Sequence, residues 1–242
     1  MVRASIAMAV YNGEKYIREQ IDSIINMMES NDELVISYEE STDNTLSIIQ
    51  EYEKNNAGVH VVFDVGHSVE SNFNNAVKHC RGEYIFLADQ DDVWINDKIN
   101  KIVDFFETHS DCVVVISNGF STTETLEIKD DIFEWLKTNS NPIRNYIKGT
   151  YLGCQMAFRS SITNNVWPVR VTPPIPHDLW LGVYGSKFGR ICLLDEHLIL
   201  HRLHDKNYSN TSKMKLINVF YNRYIFMLEI MKHSIKIAIK AH

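Results

Sequence analysis

Three carboxylates directly follow an apolar run in the segment 85–94, which reads IFLADQDDVW. The run Ile85–Ala88 predicts a buried strand of a parallel sheet. Ligands of open α/β sheets bind beyond the carboxyl ends of such strands, where Asp89, Asp91 and Asp92 would lie. Carboxylates this close repel one another unless a cation is bound, and Mg²⁺ or Mn²⁺ prefers oxygen ligands. The segment therefore indicates a divalent-metal site, with an acidic turn before the next helix as the alternative.

The segments around this run alternate between strand and helix patterns, which predicts a doubly wound, mostly parallel sheet flanked by helices. The predicted strands are Ser5–Val10, Glu33–Tyr38, His60–Asp64 and Tyr84–Ala88. The predicted helices between and after them are Glu14–Met28, Thr45–Asn55, Ser71–Cys80 and Lys98–His109. Right-handed crossovers then place the turns at 10–13, 38–43 and 89–92 along one edge of the sheet.

The second half of the chain is less regular. Its predicted strands are Cys112–Asn118, Tyr151–Phe158 and Ile191–His201, with a helical pattern around Ile132–Leu136 and another over Lys215–Ala241. Four of the five prolines lie in the segment 168–176, which predicts a rigid loop before His177. We expect one body over 1–212, divided into 1–118 and 119–212, and a helical tail over 213–242.

Composition narrows the class of protein. The chain of 242 residues is 45% hydrophobic and 23% charged, as in an ordinary globular domain. Its net charge of −7 argues against a general nucleic-acid binder. The four cysteines are widely spaced and predict reduced core thiols. The sequence shows neither a secretory signal nor an apolar run long enough for a spanning helix, so we expect a cytoplasmic protein.

The tail differs from the body in charge. Residues 213–242 carry a net charge of +5 and residues 1–212 carry −12. The tail also has apolar residues at helical spacing, and a basic amphipathic helix is typical of peripheral contact with a membrane surface. The alternative is that the tail packs on the body or forms a homodimer contact. Both interpretations stay open at the level of sequence.

Three motifs together resemble the family-2 glycosyltransferases with the GT-A fold, and most closely a bacterial rhamnosyltransferase-like group of surface-polysaccharide enzymes. The motifs are AMAVYNGEKY at 7–16, STDNT at 41–45 and DQDDVW at 89–94. The resemblance covers most of residues 4–212. It implies a GT-A fold, which is a Rossmann-like, mostly parallel sheet, here with a C-terminal helical extension.

The resemblance implies a metal and diphosphate site. In the family's DxD motif, matched by Asp89-Gln90-Asp91, the first carboxylate faces the nucleoside and the second holds Mn²⁺ or Mg²⁺. Asp89 and Asp92 are further candidate ligands of this metal. The alternative for Asp92 is that it caps the following helix. His204 matches a late histidine that completes the metal site, and Arg202 would pair with phosphate oxygens.

The resemblance also implies a nucleotide pocket. Its candidate donor-binding residues are Val10, Tyr11, Asn12, Glu14, Tyr38, Glu39, Asp89, Gln90 and Arg202. The family usually has an Asp-rich turn after the second strand, whereas this chain has Tyr38-Glu39-Glu40-Ser41. We expect Glu39 to reach the base in place of the missing aspartate and Tyr38 to stack on it.

Acceptor-side residues follow from the same resemblance. Gly153 and Cys154 lie in GTYLGCQMAF, a segment where a glycine permits close approach of substrate. His177 and Asp178 match the segment that supplies the catalytic base, and Trp180 would form an apolar wall for the sugar. The alternatives are a helix N-cap for Asp178 and a core position for Trp180.

The implied activity is inverting transfer of a sugar from a UDP- or dTDP-linked donor to a saccharide hydroxyl. The implied acceptor is a saccharide or a polyprenyl-diphosphate-linked oligosaccharide. Two other functions remain at this stage. Asp89-Gln90-Asp91-Asp92-Val93 also fits the nucleophile motif of haloacid-dehalogenase-like phosphatases. The altered turn at 38–40 would also fit a non-catalytic protein that binds nucleotide sugars.

Overall fold

The structure is a computed structural model that describes residues 1–172, 175–205 and 216–240, with side chains in the last range described for 221–235. Its strands are β1 (Ala4–Val10), β2 (Glu33–Glu39), β3 (Val59–Asp64), β4 (Tyr84–Asp89), β5 (Val93–Trp94), β6 (Cys112–Thr122), β7 (Ile128–Asp131), β8 (Met156–Arg159) and β9 (Arg190–Arg202). Its α-helices are α1 (Ile17–Ile25), α2 (Thr45–Asn55), α3 (Val69–His79), α4 (Lys98–Thr108), α5 (Ile132–Leu136), α6 (Pro142–Lys148), α7 (Thr163–Val166), α8 (His177–Tyr184) and α9 (Leu216–Lys240).

The first four strands form the parallel half of the sheet, in the order β3-β2-β1-β4. In this half Val10 lies opposite Tyr38, and Ala9 lies opposite Asp89. The residues that end β1, β2 and β4 therefore meet at one edge. The predicted mixed α/β fold with a mostly parallel sheet is confirmed, and so is the common edge.

The second half of the sheet continues in the order β8-β6-β9-β5, and β7 pairs with β6. Strand β8 is antiparallel to both of its neighbours, whereas β6 and β9 are parallel to each other. The prediction of a strand over Tyr151–Phe158 was wrong in its first half. Residues Gly153–Gln155 form a 3₁₀ turn, and the strand begins at Met156. This turn brings residue 153 to the edge where the acidic segment lies.

The longer helices of the body cover both faces of the sheet, because each of them buries an apolar stripe. In α1 the buried positions Ile17, Ile21 and Ile24 recur every three or four residues. Helix α3 buries Phe73, Ala76 and Val77 in the same way, and its N-terminus is capped by Ser68, whose hydroxyl accepts from the Ser71 amide at 3.1 Å. All four cysteines are free, as predicted.

The tail helix α9 packs on the body. Phe226 is buried, with its ring 5.4 Å from that of Trp180 on α8 and 5.5 Å from that of Tyr146 on α6. Arg170 also forms an ion pair of 2.8 Å with Glu229. The first tail residues, Lys213, Met214 and Lys215, lie outside the described residues, as do 241–242. Among the described helices, none combines the length and hydropathy needed to cross a bilayer.

Candidate active site

A cleft of about 420 Å³ opens at the carboxyl edge of β1, β2 and β4. Ten of the residues predicted from sequence line it: Val10, Tyr11, Glu39, Asp89, Gln90, Asp91, Gly153, Cys154, His177 and Asp178. Other lining residues come from the N-terminal turn of α3 and from the end of β9. The fold therefore brings donor-side and acceptor-side candidates, far apart in sequence, around one cavity.

The acidic segment is fixed to the first loop by Gln90. Its side-chain oxygen accepts from the Tyr11 amide at 2.9 Å, and its side-chain nitrogen donates to the Tyr11 carbonyl at 2.8 Å. A Cβ atom at position 13 would lie 2.5 Å from the Gln90 oxygen, so this contact requires Gly13. The two loops form one wall, and the role of Gln90 here is to join them.

The three carboxylates of the segment have different surroundings. Burial, together with the charges of Asp92 and Asp91, raises the pKa of Asp89 well above its usual range. Asp92 is fully buried, and its Oδ1 atom accepts from His201 Nδ1 at 2.9 Å and from the Arg202 amide at 3.0 Å. Although burial alone would raise it, the charge and hydrogen bond of His201 lower the pKa of Asp92. Asp92 thus ties the acidic segment to β9.

Asp91 is held by the residues that end β9 and follow it. His204 Nε2 lies 2.8 Å from Asp91 Oδ2, and the His204 ring stacks on Tyr16 with centroids 5.0 Å apart. Arg202 donates to the Asp91 carbonyl at 2.8 Å and pairs with Glu19 at 2.5 Å. Arg202 is nearly buried in these contacts, so the structure places it behind the acidic segment rather than in the cleft.

Asp89 and Asp91 line the cleft and would offer carboxylate oxygens to a hard divalent cation, and His204 Nε2 lies beside Asp91. Among the described residues, the His, Cys and acidic side chains whose ligand atoms already lie within 4.8 Å of one another are Asp92, Cys154 and His201, directly beneath this site. The pKa of Asp89 is raised by burial first and then by the charges of Asp92 and Asp91, and a bound cation would offset that charge repulsion. Mn²⁺ accepts this mixture of oxygen and nitrogen ligands, and Mg²⁺ accepts the oxygens. Asp92, whose Oδ1 is used by His201 and Arg202, is placed as a support beneath the site.

The two donor-binding candidates at the end of β2 differ in where their side chains lie. Glu39 lines the cleft, with its carboxylate 3.4 Å from His67 Nδ1 at the rim. Tyr38 does not reach the cleft. Its buried ring lies edge-on to Phe63, and its hydroxyl accepts from the Ser41 amide at 2.9 Å. The expected stacking of Tyr38 on a base is therefore not available, because this side chain holds the turn that follows β2.

Asn12 and Glu14 also serve the loops. Asn12 has a left-handed φ of 48°, and its side-chain oxygen accepts from the Thr42 amide at 2.8 Å. Glu14 is exposed and accepts from the amide and side chain of Asn44, at the start of α2. Both residues connect the first loop to the second, and neither lines the cleft, whereas their neighbours Val10 and Tyr11 do.

Asp178 faces the cleft from the first turn of α8. The helix begins at His177 after Pro176, so Asp178 is not the N-cap that the sequence suggested as an alternative. Its Oδ1 atom accepts from the Leu179 amide at 2.5 Å. Burial raises its pKa to about 6, against the opposing effect of this hydrogen bond. A half-buried carboxylate with a pKa near neutrality is a suitable proton acceptor.

Gly153 and His177 are in direct contact. A Cβ atom at position 153 would lie 2.4 Å from His177 Nε2, so the imidazole lies against the glycine backbone. Burial lowers the pKa of His177 to about 4, which keeps the ring neutral at physiological pH. Cys154, the next residue along the chain, has a fully buried side chain, and its carbonyl accepts from the buried Lys98 ammonium at 2.6 Å.

Trp180 is placed in the core. The side chain is 1% exposed, its indole nitrogen donates to the Val166 carbonyl at 2.6 Å, and its ring stacks on Tyr184. The expected apolar wall for an acceptor sugar is therefore not formed by Trp180. Residues 178 and 180 lie about 200° apart around α8, so Trp180 is on the side opposite Asp178, where it packs against α9.

Sequence reasoning missed several side chains around the cleft. His201 and Asn72 both line it and are almost fully buried. Asn72 donates to the Val10 carbonyl at 3.0 Å, and Asp92 holds His201, whose pKa rises to about 9 despite the opposing effect of burial. The signal for His201 was its place in HRLH, three residues before His204. Asn72 had no such signal, because helix packing brings it to β1.

Comparisons with known proteins agree with this architecture. The sequence profile described as "Glycosyl transferase family 2" matches residues 5–167. An uncharacterised glycosyltransferase of Nostoc sp. is 24% identical over 221 residues, which cover 85% of this chain and 66% of that protein. The dTDP-rhamnosyl transferase RfbG of Shigella flexneri is 37% identical over 103 residues, or 40% of this chain and 36% of that protein. The chain thus spans less than two thirds of the length of these relatives.

Solved structures share the fold. TarS of S. aureus, crystallised with UDP-GlcNAc, superposes with a TM-score of 0.68 at 18% identity, covering 94% of this chain and 66% of that one. The mannosyltransferase PcManGT of Pyrobaculum calidifontis, in complex with GDP-Man and Mn²⁺, gives a TM-score of 0.66 at 16% identity. This superposition covers 85% of this chain and 58% of the mannosyltransferase chain. At such identities the likeness establishes the GT-A fold.

Proposed function

The chain belongs to glycosyl transferase family 2, and from this membership we propose that it transfers a sugar from a nucleoside-diphosphate sugar to a saccharide hydroxyl. The observation that carries the proposal is the shared cleft. Asp89 and Asp91 line it from the carboxyl end of β4, and Asp178 lines it from the first turn of α8. A site for a diphosphate and a proton acceptor for a hydroxyl thus open into the same cavity.

The donor would bind against the loop that follows β1. Val10 and Tyr11 offer backbone to a flat base, and Glu39 is the carboxylate nearest to the usual position of the base-reading aspartate. Asp91, Asp89 and His204 would hold Mn²⁺ or Mg²⁺ next to the diphosphate. When bound, such a cation neutralises the charge of the departing nucleoside diphosphate.

Asp178 is the proposed proton acceptor in this reaction. The acceptor hydroxyl oxygen forms a bond to the anomeric carbon while the bond from that carbon to the diphosphate oxygen breaks. The hydroxyl proton passes to Asp178, whose carboxylate is held at one oxygen by the Leu179 amide. Attack from the face opposite the leaving group gives inversion. His177 is neutral near pH 7, because burial lowers its pKa to about 4, and it lies against Gly153. Its ring would shape the acceptor side of the cleft.

The partners are inferred from the relatives. One relative is named as the putative teichuronic acid biosynthesis glycosyltransferase TuaG of Bacillus subtilis, and RfbG is named as a dTDP-rhamnosyl transferase. We therefore place the chain in bacterial surface-polysaccharide synthesis, with a dTDP- or UDP-linked donor. The acceptor would be a saccharide or a polyprenyl-diphosphate-linked oligosaccharide.

A donor screen followed by a transfer assay tests the proposal. Thermal unfolding is measured with UDP-, dTDP- and GDP-sugars in the presence of Mn²⁺, because a ligand that binds the native state raises the unfolding temperature. The donor that binds is then incubated with saccharide acceptors, and the anomeric configuration of the product is read by NMR. Donor binding without transfer to any acceptor would identify a non-catalytic binder. Hydrolysis of an aryl phosphate would identify the phosphatase alternative.

A further inference from the structure

The outward face of α9 is apolar. Tyr221, Tyr224, Met227, Met231 and Ile235 are each 47–57% exposed, and they recur every three or four residues, which places them on one side of the helix. The opposite side, centred on Phe226, packs against the body. A solvated helix normally presents polar side chains on its outer face, so an apolar outer face indicates contact with another apolar surface.

Helix α6 extends this surface. Ile143 and Ile147, four residues apart, are even more exposed than the apolar residues of α9. The two helices touch, because the Tyr146 hydroxyl donates to the Arg223 carbonyl at 2.7 Å. The exposed side chains of α6 and of residues 221–235 are named the α6–α9 face below.

The charge on the α6–α9 face is of one sign. Lys232 is exposed on α9, and Arg144 and Lys148 are exposed on α6. Among the described side chains of the two helices, the single acid is Glu229, which is largely buried. It pairs with Arg170 at 2.8 Å and more distantly with Lys232 at 3.6 Å. The whole chain carries −7, so a surface with exposed cations and no exposed carboxylate is a local inversion of charge.

We propose that the α6–α9 face binds the surface of an anionic lipid bilayer. Apolar side chains flanked by cations match the two contributions to interfacial binding, which are burial of apolar area and attraction to anionic head groups. The sequence adds Lys236 and Lys240 in the same helix. A second copy of the chain is a poorer match, because two such faces would bring like charges together.

Helix α9 also lies near the cleft. Arg223 of α9 is close enough to Asp178 of α8 for its positive charge to act on that carboxylate. The use of this position rests on the proposed function: a lipid-linked acceptor held in the membrane would reach the proton acceptor without leaving the membrane surface. Lipid binding itself requires no catalysis, so it is measured independently of the transfer reaction.

Co-sedimentation of the full chain with vesicles tests the proposal. The vesicles are phosphatidylcholine alone or phosphatidylcholine mixed with phosphatidylglycerol. The wild-type protein should sediment with the mixed vesicles, more strongly at low salt. The double variant Met231→Glu/Ile235→Glu should lose roughly tenfold or more in partitioning, and Lys232→Gln about fivefold. Ile128→Glu, at an exposed position on β7, is the matched control and should bind like wild type.

Circular dichroism and donor-induced thermal shift confirm that each variant is folded. Two outcomes overturn the proposal. One is wild-type protein that remains in the supernatant with anionic vesicles. The other is a double variant that keeps vesicle binding. A change from dimer to monomer in light scattering of that variant would assign the face to a second copy.

Discussion

His204 Nε2 lies 2.8 Å from Asp91 Oδ2, although the two residues are 113 positions apart in the sequence. The contact joins the end of β9 to the acidic segment after β4, and Tyr16 stacks on the imidazole from the other side. A histidine in this position either shares a cation with the carboxylate or orients it. In both cases, removal of the His204 imidazole should first lower the affinity for the donor in the presence of the metal.

We predict that His204→Ala weakens Mn²⁺-dependent donor binding by about tenfold, and that Asp91→Asn weakens it more, because an anionic ligand is lost. The affinity is measured by calorimetry with and without EDTA. In EDTA the wild type and both variants should bind the donor equally weakly. His79→Ala, an exposed histidine on α3, should behave like wild type. Equal affinities of wild type and His204→Ala in Mn²⁺ would show that His204 has no part in the metal site.

The limits of sequence reasoning are visible at these same residues. The apolar run before Asp89 and the alternation of elements were enough to predict the parallel half of the sheet and its common edge. Asp91, Gly153 and Asp178 were chosen from the motifs, and all three line one cleft, while their roles stay predictions. Tyr38 and Trp180 were misplaced because a strand or helix pattern does not say which neighbour covers a side chain.

Several supporting roles also depend on long-range contacts that no local pattern encodes. Gln90 bridges to Tyr11, and Asp92 binds His201, across 79 and 109 positions of sequence. The 3₁₀ turn at Gly153–Gln155 is a similar case, since its first residue lies against His177, 24 positions later in the sequence. Apolar periodicity alone favoured a continuous strand there.

The rate of transfer should depend on pH through Asp178. Burial raises the pKa of this carboxyl to about 6, and a base acts only when it is deprotonated. The rate at saturating donor should therefore be level above neutrality and fall about tenfold per pH unit below pH 6. His177, with a pKa near 4, stays neutral over that range and adds no second step. A rate that stays level down to pH 4.5 would exclude Asp178 as the titrating base.

Packing of the tail predicts a loss of stability on truncation of Phe226. The side chain is buried between Trp180 and Tyr146, so Phe226→Ala should lower the free energy of unfolding by about 3 kcal/mol. The measurement is chemical denaturation followed by tryptophan fluorescence. Met227→Ala changes the next residue on the exposed side and should cost less than about 0.5 kcal/mol. Equal stability of the two variants would mean that α9 is not bound to the body in solution.

The central claim is that Asp178 receives the proton of the acceptor hydroxyl in a cleft whose donor site is built by other residues. The most direct test compares Asp178→Asn with wild type in two measurements on the same preparations. Asparagine keeps the size of the side chain but cannot accept the proton. Donor affinity in Mn²⁺ should stay within about twofold of wild type, while the single-turnover rate of transfer should fall by roughly 10²–10⁴-fold. A variant that transfers sugar at a near-normal rate would contradict this assignment.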